Sequence, residues 1–381
     1  MTGKTVSSVS TMDGLRAQRW QALGRDQSAL AAMSVFAQLW ISFALYLYGH
    51  VSTPGAFSLL LTLPYLLLLW FMGRFLARGA KQGEDAVASA VGNKAAKAFY
   101  FLFSLLHFMD AQLTLYAFCA VAGDVMPGHS ALSTTLAVAL LCFAALDRDP
   151  ENVLPRLARL LKWAVGALLL YCALIALPYG KTAHFFPLLG YGPSTIGKGA
   201  FWLCGAVSGG VWPLILPQSG EIQRLMAQKP RICLKPWLIS VGAGLAMYGL
   251  SVWLLPVYAM ARPQSLGWRM LAVTHMTPSV PAWSMEVMGL FLLLLLSLAH
   301  SVFLSAKLIE RGAGKKKRIR FLPLLLLLLL CPASILKLPS INLFLVSAAP
   351  LRGVAALGLL ATLCLCSLMK RKKESAAEDR V

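Results

Sequence analysis

The sequence predicts an all-α polytopic membrane protein with about ten transmembrane helices, and three observations lead there. Hydrophobic residues make up 58% and charged residues 13% of the 381, with a mean hydropathy of +0.69, a balance too apolar for a soluble globule. Apolar runs long enough to cross about 30 Å of hydrocarbon recur along the chain. Lys and Arg are concentrated in alternate loops, as cytoplasmic loops require.

Apolar runs and their polar flanks place spans at 28–48, 56–76, 98–121, 131–146, 160–178, 199–217, 236–259, 284–305, 321–338 and 342–369. The fourth is short, and the tenth carries Pro350 and Arg352. Of the 35 Lys and Arg, all but Lys181, Lys198, Arg262, Arg269, Lys337 and Arg352 fall in the N-terminal tail, the C-terminal tail or every second loop. That alternation puts both termini in the cytoplasm, with residues 1–27 and 370–381 as tails around a transmembrane domain of 28–369. The net charge of +20 then follows from topology and proximity to anionic lipid, and a nucleic-acid partner is unnecessary. The polar, basic start of the chain lacks the apolar core of a signal peptide. Seven cysteines lie in spans and Cys233 lies beside one, without metal or redox spacing, so apolar packing accounts for them.

The loops are too short for a catalytic module, so any chemistry lies among the helices. In the third span Ser104, His107, Asp110, Ala111 and Thr114 follow three- and four-residue spacing and share one face. A carboxylate near mid-span is costly unless protonated, hydrogen-bonded or wetted. His107, Asp110 and Thr114 thus form either a structural hydrogen-bonded group or a water or proton pathway, which His300 of the eighth span could extend. A metal at His107 and Asp110 lacks further evident ligands. Ser297, Ser301 and Ser305 make a small-residue stripe suited to close packing. Glu286 is either a first-turn carboxylate behind a capping Ser284 or a ligand contact. Paired carboxylates and a nucleophile with its base are absent from the spans, so the sequence does not read as an enzyme.

The sixth span, "AFWLCGAVSGGVWPLILPQ", concentrates Gly205, Ser208, Gly209, Gly210 and Pro213. Two readings stand. The glycines form a small face for helix contact, Gly205 and Gly209 being four apart; or the helix is discontinuous and its freed backbone groups bind a small zwitterion or anion.

The stretch "FFPLLGYGPSTIGKGAFW" (185–202) resembles the loop entering the sixth helix of GerAB-type spore germination permeases. "WSMEVMGLFLLLLL" resembles that family's opening of the eighth helix, although Ser284 stands where the family has arginine. The resemblance implies the amino acid/polyamine/organocation transporter architecture: a LeuT-like fold of two inverted five-helix repeats with broken first and sixth helices. It also implies a spore germinant receptor, in the spore inner membrane, that binds a nutrient such as an amino acid beside an A-type membrane subunit and a C-type lipoprotein. The first span has no glycine or proline between Ser28 and Tyr48, which leaves Gln38 and Ser42 as its polar contributions to a site. Expected ligand-binding residues are therefore Gly205, Ser208, Gly209, Gly210, Gln38, Ser42 and Glu286, with no cofactor. A proton- or sodium-coupled amino-acid transporter and a non-binding structural subunit are the alternatives.

Overall fold

The computed structural model describes residues 5–47, 55–80, 85–125, 136–142, 150–185, 193–216, 228–229, 231–254, 280–313, 323 and 339–378. Helix α1 (Thr5–Ser42) passes into a π turn, Phe43–Leu47. It is followed by α2 (Gly55–Leu61), α3 (Leu63–Gly79), the short α4 (Ala86–Val91), α5 (Asn93–Val125) and α6 (Pro150–Ala176). The sixth span comprises α7 (Pro193–Val207), a 3-10 turn at Ser208–Val211 and α8 (Trp212–Ile215). Then come α9 (Arg231–Leu254), α10 (Val280–Ala313) and α11 (Pro339–Glu378). Six helical stretches among the described residues are long and apolar enough to cross a membrane. Of the expected spans, 131–146 is represented by the helical residues 136–142, and 321–338 lies outside the described residues apart from residue 323.

Local chemistry explains the joints. Pro64 lacks the N–H that would continue the ladder, so the second span divides at Thr62, whose hydroxyl donates to the Leu59 carbonyl at 2.6 Å. The Asp85 side chain caps α4 by accepting from Ala88 N–H at 2.8 Å. Gly92, at φ 80°, turns the chain into α5 through a conformation that other residues adopt at a cost. Helices α1 and α11 run beyond the hydrocarbon limits expected from composition, so both tail segments are in part helical extensions of spans. Asp26, Gln27 and Ser28 are already buried in α1.

Helix pairing repeats at an offset of five spans. The first span (α1) packs on the seventh (α9), as the sixth (α7) packs on the second (α2); α1 packs on α6 as α7 packs on α11; and α6 packs on α10 as α11 packs on α5. The two pairs that map onto themselves, α1 with α7 and α5 with α10, also form. Such pairing is what two five-helix repeats produce. The α5–α10 contact is close because serines meet across it: the Ser104 and Ser305 hydroxyls lie 2.8 Å apart. Ser297 meets Ser34 of α1 at 3.1 Å. The serine stripe of the eighth span is thus a packing surface, the structural role its spacing indicated. Outward faces stay apolar, with Leu160 70% and Trp163 74% exposed, as lipid contact requires.

At the basic end of the bundle, carboxylates bridge helices. Asp26 of α1 accepts from Arg159 of α6, and Lys307 of α10 reaches Glu151 of α6 at 2.8 Å. Arg311 of α10 donates to Asp85 at 3.3 Å, and Tyr100 donates to the same carboxylate oxygen.

Gly210 is set against the Trp237 indole, so close that a Cβ there would stand 2.4 Å from the ring. The indole is 1% exposed and anchored by a 2.9 Å bond from Nε1 to the Val207 carbonyl. Gly210→Ala is therefore expected to destabilise by about 1–3 kcal/mol through overpacking. Gly242→Ala, whose Cβ meets nothing within 4 Å, is expected to be neutral or to stabilise by up to about 1 kcal/mol. Thermal unfolding of the two purified variants in detergent checks the contrast; equal effects would contradict the packing account.

Candidate functional site

The polar face of α5 does turn inward: Ser104, His107, Ala111 and Thr114 are all buried. What that face meets is a cation. Arg352 of α11 is 3% exposed and its guanidinium donates to the Asp110 carboxylate. The same Nη1 reaches Gln38 Oε1 of α1 at 3.2 Å. Gln38 in turn donates through Nε2 to Thr114 Oγ1 at 2.7 Å and to the Asp110 carbonyl at 3.2 Å. Thr114 donates to that carbonyl at 2.7 Å. Three helices from both repeats thus converge on one buried network.

Each member is placed by local sequence. Gln38 sits in the part of α1 beyond Ser28, which has no proline or glycine to divert it. Asp110 and Thr114 are four apart and so lie one above the other on α5. Arg352 follows Pro350, and its neighbour Gly353 allows α11 to lie directly on α7: a Cβ at Gly353 would stand 2.8 Å from the Gly205 backbone nitrogen. Tyr65 of α3 donates to the Gly353 carbonyl at 2.7 Å and fixes the same turn. Gly205 therefore acts as a contact point that brings Arg352 inward.

The other glycines of the sixth span also face neighbours. A Cβ on Gly209 would stand 3.3 Å from Val35 Cγ2 of α1, one turn before Gln38. The expected backbone break is a tightened 3-10 turn instead. Residues 207, 211 and 212 keep right-handed helical angles. The carbonyls of Gly205 and Val207 accept from Ser208 Oγ at 2.8 Å and Trp237 Nε1 at 2.9 Å. One local and one distant donor thereby occupy carbonyls that an unwound helix would have offered to a ligand.

His107 Nδ1 is 3.9 Å from Asp110 Oδ2, and its ring packs edge-on to Trp212 at 5.2 Å. Its Nε2 is buried without a hydrogen-bond partner. On the far side, Trp212 lines a small cavity of about 30 Å³ together with His300, Gln27 and Phe303, enough for about one water. Ser42 is buried at the end of α1, outside the Arg352 network. Glu286 is the seventh residue of α10, and its side chain lies outside the described residues. The first-turn reading of Glu286 is thereby corrected, because α10 is already helical from Val280. Ser284 is inside the helix and does not cap it. Among the described residues no group of three His, Cys, Asp or Glu is placed to hold a metal ion.

Sequence reasoning named Gln38, Asp110 and Thr114 but not their partner Arg352. The available signal was charge: Arg352 is a cation within an apolar span, where an ionisable residue marks a site by default. Neutralising one member of a buried pair strands the other charge. Asp110→Asn and Arg352→Met are each expected to cost about 3–5 kcal/mol, and the double variant less than their sum by about 0.5–3 kcal/mol. A thermal or denaturant cycle in detergent reads this, and strict additivity would mean the two residues are uncoupled.

No family model matches the chain, and no curated protein matches it. Solved structures do. A mutant form of the manganese transporter of Eremococcus coleocola aligns with a TM-score of 0.55 and 15% identity, over 92% of this chain and 76% of that one. A Na+-coupled sialic acid symporter in a substrate-bound, outward-open state aligns with a TM-score of 0.56 and 13% identity, over 87% and 78%. The protein is therefore an integral membrane protein with the LeuT-like fold that these transporters share, the fold its repeated helix pairing describes.

Proposed function

We propose that the chain binds a small amino acid at Arg352, Asp110 and Gln38, and that it serves as the membrane subunit of a spore germinant receptor. The observation that carries the binding site is the buried guanidinium itself. Arg352 is held at the junction of three helices by a carboxylate and an amide, in a fold shared with proteins that move small solutes. A zwitterion matches this pair charge for charge: its carboxylate takes the guanidinium fork and its ammonium takes Asp110. The incoming solute replaces one ion pair by two, so neither protein charge is left bare in the bilayer interior. Separating Asp110 from Arg352 moves α11 relative to α5, and Gln38 transmits the change to α1. Gly205, Ser208, Gly209 and Gly210 hold the sixth span against α11, α9 and α1 around this junction.

The receptor role rests on the resemblance of residues 185–202 and of the eighth helix to germination permeases. It brings with it an A-type subunit, a C-type lipoprotein, the spore inner membrane and cytoplasmic termini. A second reading, proton- or sodium-coupled amino-acid transport, is favoured by the transporter neighbours. In it His107, Asp110, Thr114 and His300 form the pathway around Trp212.

Calorimetry with a panel of L-amino acids on purified protein in nanodiscs tests the site. Saturable binding is expected, weakened at least about tenfold by Arg352→Lys, which loses the bidentate fork. A folded wild-type protein that binds none of the panel would contradict the solute reading and leave the structural-subunit role. With a bound amino acid identified, labelled uptake into proteoliposomes separates the two functions. Binding without uptake supports a receptor; uptake driven by a pH or sodium gradient supports a transporter.

A further inference from the structure

A second cavity lies away from the central junction and is chemically unlike it. A groove of about 410 Å³ opens between α1, α6 and α9 at the basic end of the bundle. Its walls are apolar, with Met33 and Phe36 from α1, Val165 from α6 and Ile239 from α9, apart from Ser240, whose hydroxyl donates to the Ala32 carbonyl at 2.5 Å. At its mouth stand three cations, one from each helix: Arg25, Lys162 and Lys235, all exposed. No acidic residue is among the described residues that line it. Asp26, next to Arg25 in sequence, is turned away onto Arg159 of α6. Arg25 spends Nε on the Gln21 carbonyl at 3.3 Å, which leaves its terminal nitrogens for a ligand. Lys162 lies over the ring of Trp163 at 5.3 Å, and that indole is 74% exposed, as befits the membrane interface.

Three cations converging on one mouth repel one another unless an anion joins them, and the groove behind them offers nothing polar enough for a free hydrophilic ion. A phosphodiester with an acyl chain satisfies both halves, since basic pockets between membrane helices suit anionic head groups and the apolar trench suits the tail. We infer that this groove holds an anionic phospholipid, its phosphate at Arg25, Lys162 and Lys235 and one chain along Met33, Phe36, Val165 and Ile239. The lipid spans α1, α6 and α9 beside the Asp26–Arg159 pair, and so clamps α1 to its neighbours at that end. This inference is independent of the solute at Arg352.

Native mass spectrometry of the delipidated full chain, with phosphatidylglycerol or phosphatidylcholine added back, tests it. Phosphatidylglycerol is expected to be retained at least about tenfold better, and R25Q/K162Q/K235Q to reduce it to the phosphatidylcholine level. Gly166 lines the groove, and a Cβ there meets nothing within 4 Å. Gly166→Phe therefore fills the trench while leaving all three cations in the sequence, and it too is expected to lower retention. Equal retention of the two lipids would overturn the inference, as would full displacement by millimolar inorganic phosphate, which would mark a site for a free anion. Should the triple variant fail to fold, Gly166→Phe decides alone, and undiminished phosphatidylglycerol binding would overturn the assignment.

Discussion

A guanidinium that cannot lose its proton must be paired when it is carried into a membrane, and much of this structure is arranged to pair Arg352. The pairing demands that α11 lie deep in the bundle, so glycine at 353 is set directly on the α7 backbone at Gly205. It demands that Asp110 face inward, so the polar residues of α5 fall on one stripe. It also demands a neutral group for the remaining hydrogen-bonding capacity, which Gln38 supplies from an α1 that runs without a break past the site. Breaking the Arg352–Asp110 pair leaves a charge in hydrocarbon, which is why the network is both a structural keystone and a natural place for a charged solute to intervene.

The symmetry of the packing gives that keystone its leverage. With helix pairs repeating at a five-span offset, Asp110 and Gln38 belong to the first repeat and Arg352 to the second, so the pair ties the two halves together. Closer to the basic end the Asp26–Arg159 and Glu151–Lys307 bridges fasten α1 and α10 to α6. The bundle is therefore held by charge at two levels, with serine-lined helix contact between them, and a solute that opens the inner level acts on helices still fastened at the outer one.

The spans, the inward face of α5 and the packing use of Ser297 and Ser305 were legible in the sequence because each is a local periodic pattern of residue size or polarity. The Arg352–Asp110 pair was not, since its members are 242 residues apart and neither local pattern specifies the other. The sixth span was legible only as a choice. Its glycines and proline left a small packing face and an open break both standing; Ser208 and the distant Trp237 take up the carbonyls, and the chain forms a 3-10 turn. Gly210 is small because an indole lies on it, a fact held in α9 and invisible within α7. That α10 is already helical from Val280 was missed because Ser284 looked like a cap.

The most direct test of the central claim is an experimental structure of the protein in nanodiscs with a saturating amino acid selected by binding. The account predicts density for the solute between Arg352 and Asp110, with its carboxylate on the guanidinium and with α11 displaced from α5. An intact Arg352–Asp110 pair, with the solute bound elsewhere in the bundle, would contradict it and return the pair to a purely structural role.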